Sequence, residues 1–76
     1  KHRGLFLRLD SQTDPRLHKA QVVTSIFDGP EPLWYYYKDT GRYVRAPQQD
    51  FVSVNPTMLA ELKRILGHDN VVYIAQ

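Results

Sequence analysis

Three histidines, three serines and eight carboxylates are the groups from which this sequence could build hydrolytic, acid–base or metal chemistry. Their spacing does not favour it. His2 lies in a basic lead-in, His18 on the polar face of a predicted helix and His68 in a predicted turn. No two have the i, i+4 separation that would put two imidazoles on one helical face to grip a metal ion. All three are expected to be solvated surface residues. Asp10, Asp28, Asp39, Asp50 and Asp69 fall at element ends or turns, where a short carboxylate is favoured for local hydrogen bonding. Asp14 is expected to cap a helix. Ser11, Ser25 and Ser53 lack the Gly-x-Ser-x-Gly setting of a strained nucleophile turn. The glycines at 4, 29, 41 and 67 are spread one to a boundary and build no phosphate-cradling loop. There is no cysteine to act as a nucleophile, and the sequence calls for no cofactor.

The remaining chemistry is aromatic and cationic. Residues 33–46, Leu-Trp-Tyr-Tyr-Tyr-Lys-Asp-Thr-Gly-Arg-Tyr-Val-Arg-Ala, read as a β-hairpin. Lys38-Asp39-Thr40-Gly41 supplies the turn, with Gly41 free to take a positive φ. A type I turn with a bulge would set Lys38 opposite Arg42, Tyr37 opposite Tyr43 and Tyr36 opposite Val44. One parity carries Leu33, Tyr35, Tyr37, Tyr43 and Arg45; the other carries Trp34, Tyr36, Lys38, Arg42 and Val44. Leu33 assigns the first parity to the core, and Lys38 and Arg42 assign the second to water; Arg45 argues the reverse. Trp34, Tyr36, Lys38 and Arg42 are therefore the candidate interaction surface. Exposed, the two rings would stack single-stranded bases at about 1–3 kcal/mol each, or anchor a protein contact, where Trp, Tyr and Arg are enriched. The competing structural account is that they fill the core or face a neighbouring domain, since large rings are natural filler for a small sheet protein.

A two-stranded hairpin is marginal alone and needs further strands and a covering layer. Gly4 to Leu9 alternates, with Leu5, Leu7 and Leu9 on one side and Phe6 and Arg8 on the other, as a half-buried strand does. Asp14-Pro15 starts a helix, with Asp14 as N-cap and Pro15 at the first helical position. Leu17, Ala20, Val23 and Phe27 form its apolar stripe, widened by Val22 and Ile26, with Gly29 as C-cap and Pro30 as stop. Pro30-Glu31-Pro32 is a stiff link into the hairpin. Phe51 to Val54 is expected to be a short strand. Asn55-Pro56 repeats the capping device, and Met58, Leu59, Leu62, Ile65 and Leu66 form the apolar face of a second helix that Gly67 ends. Val71 to Ile74 is a last strand. The order β-α-β-β-β-α-β predicts an α+β fold: a two-layer α/β sandwich, its mixed, mostly antiparallel sheet of about five strands carrying both helices on one face. A ferredoxin-like arrangement with an extra strand is one version.

The 76 residues suffice for one small domain, and 42% hydrophobic content is globular, not disordered. The chain opens on Lys1, not Met, and is expected to be a piece of something longer. The lack of cysteine suits a reducing cytoplasm. No apolar run approaches the about 20 residues that span a bilayer, so no membrane partner is expected. A net charge of +2 permits an acidic or nucleic-acid partner without demanding one.

Taken in order, Leu5-Phe6-Leu7-Arg8-Leu9, Asp14-Pro15-Arg16-Leu17, Phe27-Asp28-Gly29-Pro30-Glu31-Pro32-Leu33, Arg45-Ala46-Pro47, Leu59-Ala60-Glu61-Leu62 and Leu66-Gly67-His68-Asp69-Asn70-Val71-Val72 resemble a known region. That region is the extreme C-terminus of the bacterial DNA polymerase III alpha subunit, the catalytic subunit, and the resemblance spans nearly the whole chain. It implies a non-catalytic accessory domain of a replicative, DNA-directed DNA polymerase, whose active-site carboxylates lie elsewhere. It also implies a role in docking the clamp-loader tau subunit, alongside other parts of the polymerase holoenzyme. No motif marks individual tau-contacting residues. Two other functions stay open: a single-stranded DNA-binding module using the aromatic-basic hairpin, and a structural cap on the preceding domain.

Overall fold

The computed structural model describes residues 2–75; the part of the basic lead-in that falls on Lys1 lies outside them. Strand β1 (Gly4–Leu9) is followed by helix α1 (Arg16–Ile26), a short strand β2 (Asp28–Glu31), the hairpin β3 (Leu33–Tyr37) and β4 (Arg42–Arg45), helix α2 (Pro56–Leu66) and β5 (Val71–Ile74). Single 3-10 turns occupy Gln48–Asp50 and His68–Asn70.

Four of the five strands form one mixed sheet in the order β4-β3-β1-β5. β1 and β3 run parallel, and β4 and β5 close the two edges antiparallel. The alternation in β1 sends Leu5, Leu7 and Leu9 to one face, where they are fully buried with Leu33, Tyr35 and Tyr37 of β3 and Val71 of β5. Ala20 and Val23 of α1 and Met58, Leu62 and Leu66 of α2 complete this core. Both helices thus cover one face of an α+β two-layer sandwich, as the sequence predicts. The ferredoxin-like version is excluded by the strand order. That arrangement splits its βαβ unit with an intervening strand, whereas β1 and β3 are immediate neighbours here.

The predicted cap of α2 is present, whereas at α1 Pro15 takes the cap position that the sequence assigns to Asp14. Asn55 has extended backbone, and its Oδ1 accepts the N–H of Met58 at 3.0 Å, with Pro56 opening the helix. Asn55→Ala is expected to lower stability by about 1 kcal/mol, measured as a lower thermal midpoint; an unchanged midpoint would mean the cap is idle. At α1 the hydrogen-bonded run begins at Arg16, with Pro15 already helical at φ −63°. Asp14 serves it from one residue further back. Its buried carboxylate accepts the N–H of Arg16 and of Asp10, both at 2.9 Å, and grips the Arg16 guanidinium through Nη2 (2.7 Å) and Nε (3.1 Å). The Arg16 guanidinium holds the Asp14 carboxyl well below the usual carboxylate range; burial opposes this and the two N–H groups reinforce it. A depressed folded-state pKa stabilises the protein above the unfolded value, about 4 for Asp. That contribution is lost progressively as pH falls below it. Asp14→Asn is expected to cost about 1–3 kcal/mol at pH 7. In urea titrations the gap from wild type should shrink on acidification below about pH 4; a gap that stays constant would disprove the ion pair's role.

Three local expectations are corrected. α1 ends at Ile26 with Phe27 as its C-cap, short of Gly29, and Val22 and Ile26 are 49% and 69% exposed instead of widening the buried stripe. The stretch from Phe51 to Val54 is no strand of the main sheet. Val52 alone forms bridges, to Asp28 and Glu31 of β2, a strand that overlaps the Pro30-Glu31-Pro32 stretch the sequence reads as a link. Pro30 and Pro32 have no N–H to offer a ladder. This segment is instead held by Gly29 N–H to the Phe51 carbonyl (3.1 Å) and Ser53 N–H to the Phe27 carbonyl (2.7 Å).

The hairpin register is the third correction. Tyr37 faces Arg42, Tyr36 faces Tyr43, Tyr35 faces Val44 and Trp34 faces Arg45. The cause is a competing partner. Lys38 N–H bonds the Leu9 carbonyl (2.9 Å) and Asp39 N–H that of Asp10 (3.1 Å), so Lys38 extends the contact with β1 instead of facing Arg42. All four residues of the turn then lie outside the ladder, and Gly41, at φ +68°, donates to the Tyr37 carbonyl at 2.8 Å. A one-residue slip exchanges the faces of every β4 side chain.

Candidate functional site

Among the described residues the sheet face opposite the helices is uncovered, and half of its strand side chains are aromatic. One row across the strands reads Val72, Phe6, Trp34, Arg45; the next reads Arg8, Tyr36, Tyr43. Phe6 and Trp34 stack with centroids 5.8 Å apart and planes within 9°. Tyr36 and Tyr43 lie 4.7 Å apart at a tilt, and Tyr43 meets Phe6 edge-on at 6.0 Å. The His2 ring rests 4.8 Å from Trp34. The Arg8 guanidinium lies 5.5 Å from the Tyr36 centroid, and that of Arg45 lies 5.9 Å from Trp34 and 5.1 Å from Phe51. The four rings of Phe6, Trp34, Tyr36 and Tyr43, with His2, Arg8 and, at the β5 edge, Val72 and Ile74, line an open hollow of ≈ 590 Å³.

Two features of this face bear on what it can hold. Its strand residues include no carboxylate, so Arg8 and Arg45 carry positive charge that no acid on the face neutralises. The indole Nε1–H of Trp34 is buried and has no hydrogen-bond partner among the described residues. An indole N–H can only donate, and a buried donor left unpaired is costly.

Of the candidate residues named from sequence, Trp34 and Tyr36 share this face. Lys38, beyond the end of β3, does not line the hollow, and Arg42 does not share the face. The Lys38 ammonium lies 3.6 Å from the Asp10 carboxylate in the turn. Arg42, through the shifted register, takes the helix-side parity of Tyr37 and borders a separate hollow beside Ser11, Thr13 and Asp39. Their places are taken by Tyr43 and Arg45 from β4 and by Phe6 and Arg8 from β1. The sequence signal for Phe6 and Arg8 was present: both occupy the polar parity of the β1 alternation.

Other polar groups do not converge. His2, His18 and His68 are exposed; His68 Nδ1 lies 3.3 Å from Asp69. No group of three or more His, Cys, Asp or Glu side chains is placed to hold a metal among the described residues. On the helix side, burial pushes the phenols of Tyr35 and Tyr37 up from their ordinary value. At the β5 edge the Tyr73 hydroxyl donates to the Glu31 carboxylate, which raises its pKa. No helix among the described residues is long and apolar enough to cross a membrane.

No family model and no solved structure matches the chain. The chain is similar to the DNA polymerase III subunit alpha of Halalkalibacterium halodurans, 28% identical over 71 residues. The match takes in 90% of this chain and 6% of that much longer protein.

Proposed function

We propose that the chain is a non-catalytic accessory domain of a DNA polymerase III alpha subunit, serving DNA replication in the cytoplasm, and that it contributes to docking the clamp-loader tau subunit. The alignment of 90% of the chain with part of such a subunit carries this reading. The geometry supports a module that works by contact. Apolar side chains stay uncovered on both layers, Val22 and Ile26 on α1 and the aromatic sheet face opposite, and contiguous exposed apolar surface marks interaction sites.

Calorimetric titration of the 76-residue chain with the cognate tau subunit tests it. Saturable binding is the expected result, as is weaker tau binding by an alpha subunit lacking these residues. No heat on titration, together with undiminished affinity in the shortened subunit, would refute the docking role.

A further inference from the structure

We propose that the open sheet face binds single-stranded nucleic acid, with bases stacking on Phe6, Trp34 and Tyr36 and phosphates meeting Arg8 and Arg45. The proposal goes beyond tau docking and stands without it, since a protein partner can meet the helical layer while this face is occupied.

Placement comes first. Phe6 and Trp34 are paired neighbours on the two central strands, and Tyr36 follows Trp34 on the same side of β3. Alternate residues of a strand lie about 7 Å apart, a spacing that an extended single strand matches with one base per ring. Four-stranded sheets with aromatics on their faces hold roughly two or three bases in this way. Every base has a π-face, so such a platform accepts many sequences.

Charge chooses among occupants. The face carries two guanidiniums and no carboxylate, which complements a polyanion. Both guanidiniums already lie against rings, at 5.5 Å from Tyr36 and 5.9 Å from Trp34. They can therefore act as further stacking planes for bases while facing phosphate oxygens.

Fluorescence anisotropy with labelled oligothymidylate and oligouridylate of about ten nucleotides, and a duplex of matched length, tests the proposal. Either single strand should bind, and more tightly than the duplex, whose base faces are hidden. Which of the two binds better identifies DNA or RNA as the source. Two phosphate contacts predict a slope of log K against log salt of about −1.4, or roughly a sevenfold loss between 50 and 200 mM. Arg45→Gln should halve that slope, and Trp34→Ala should weaken binding roughly 5- to 150-fold. Tyr43→Ala, at an edge-strand residue 61% exposed, perturbs the platform with little risk to folding and should also weaken binding. Absence of binding to both single strands, or equal affinity for the duplex, would overturn the proposal. So would variants at Trp34 and Tyr43 that lose tau and keep the oligonucleotide, because the face would then be a protein contact.

Discussion

Leu7→Ala is expected to destabilise the protein by about 2–5 kcal/mol, the range for truncating a buried leucine. Leu7 is fully buried on β1, the inner strand that pairs with both β3 and β5, between Tyr35 on one side and Val71 on the other. Two costs combine: the apolar area returned to water on unfolding shrinks, and a cavity is left that two hydrogen-bonded ladders prevent from collapsing. A chain this size has a total stability of roughly 4–11 kcal/mol at 0.05–0.15 kcal/mol per residue. The variant should therefore be partly unfolded at room temperature if stability lies at the lower end. Urea unfolding followed by circular dichroism should show a lower midpoint with an unchanged slope. Leu7→Ile, which keeps the volume, should cost under about 1.5 kcal/mol. Equal losses for the two variants would mean that the strand, not the packing, had been disturbed.

Gly4→Ala ranks next, at about 2–4 kcal/mol, combining a strained backbone conformation with a weakened hydrogen bond. Gly4 has φ +127°, a region closed to side chains, and a Cβ there would lie 2.3 Å from the Pro32 carbonyl oxygen. That oxygen is already engaged: it accepts the Leu5 N–H at 2.9 Å, at the start of the parallel β1–β3 contact. Pro32 has little freedom to retreat, because its ring fixes φ. Gly41→Ala is the control. Its φ is also positive, at +68°, but the nearest atom to an added Cβ is the Tyr36 hydroxyl at 3.9 Å. It should cost only about 1–2 kcal/mol, the penalty for an L-residue in the left-handed region. The contrast in urea midpoints isolates the clash; similar losses at both positions would show that φ alone matters.

Where one residue's neighbours are close in sequence, the sequence was informative. The Asn55-Pro56 start, the Gly67 stop and the Leu5-Leu7-Leu9 alternation depend on local hydrogen bonding and period, and each is found where expected. Leu33 marked the buried parity of β3, which placed Trp34 and Tyr36 on the opposite face. What local patterns do not encode is competition between distant partners. The Leu9 carbonyl recruits Lys38, and that contact, absent from any hairpin considered alone, shifts β4 by one residue. It exchanges Arg42 for Arg45 on the open face. Likewise Val52 bridges β2 because Gly29 and Ser53 approach closely. Phe6 and Arg8 join Trp34 and Tyr36 only because β1 lies beside β3, a neighbour relation that strand order decides.

The position of β1 has a kinetic consequence. It is the first strand in chain order, yet it forms its two ladders with β3, reached across α1, and with β5, the last strand. Closing each contact requires a long segment to be ordered before the pairing compensates the entropy. Folding should therefore be slow for a domain this size and dominated by non-local nucleation. Until β5 docks, the edge of β1 carries unpaired backbone groups able to recruit another chain. A nascent or C-terminally truncated chain should thus aggregate through β1, and the final strand acts as a protective seal on the first.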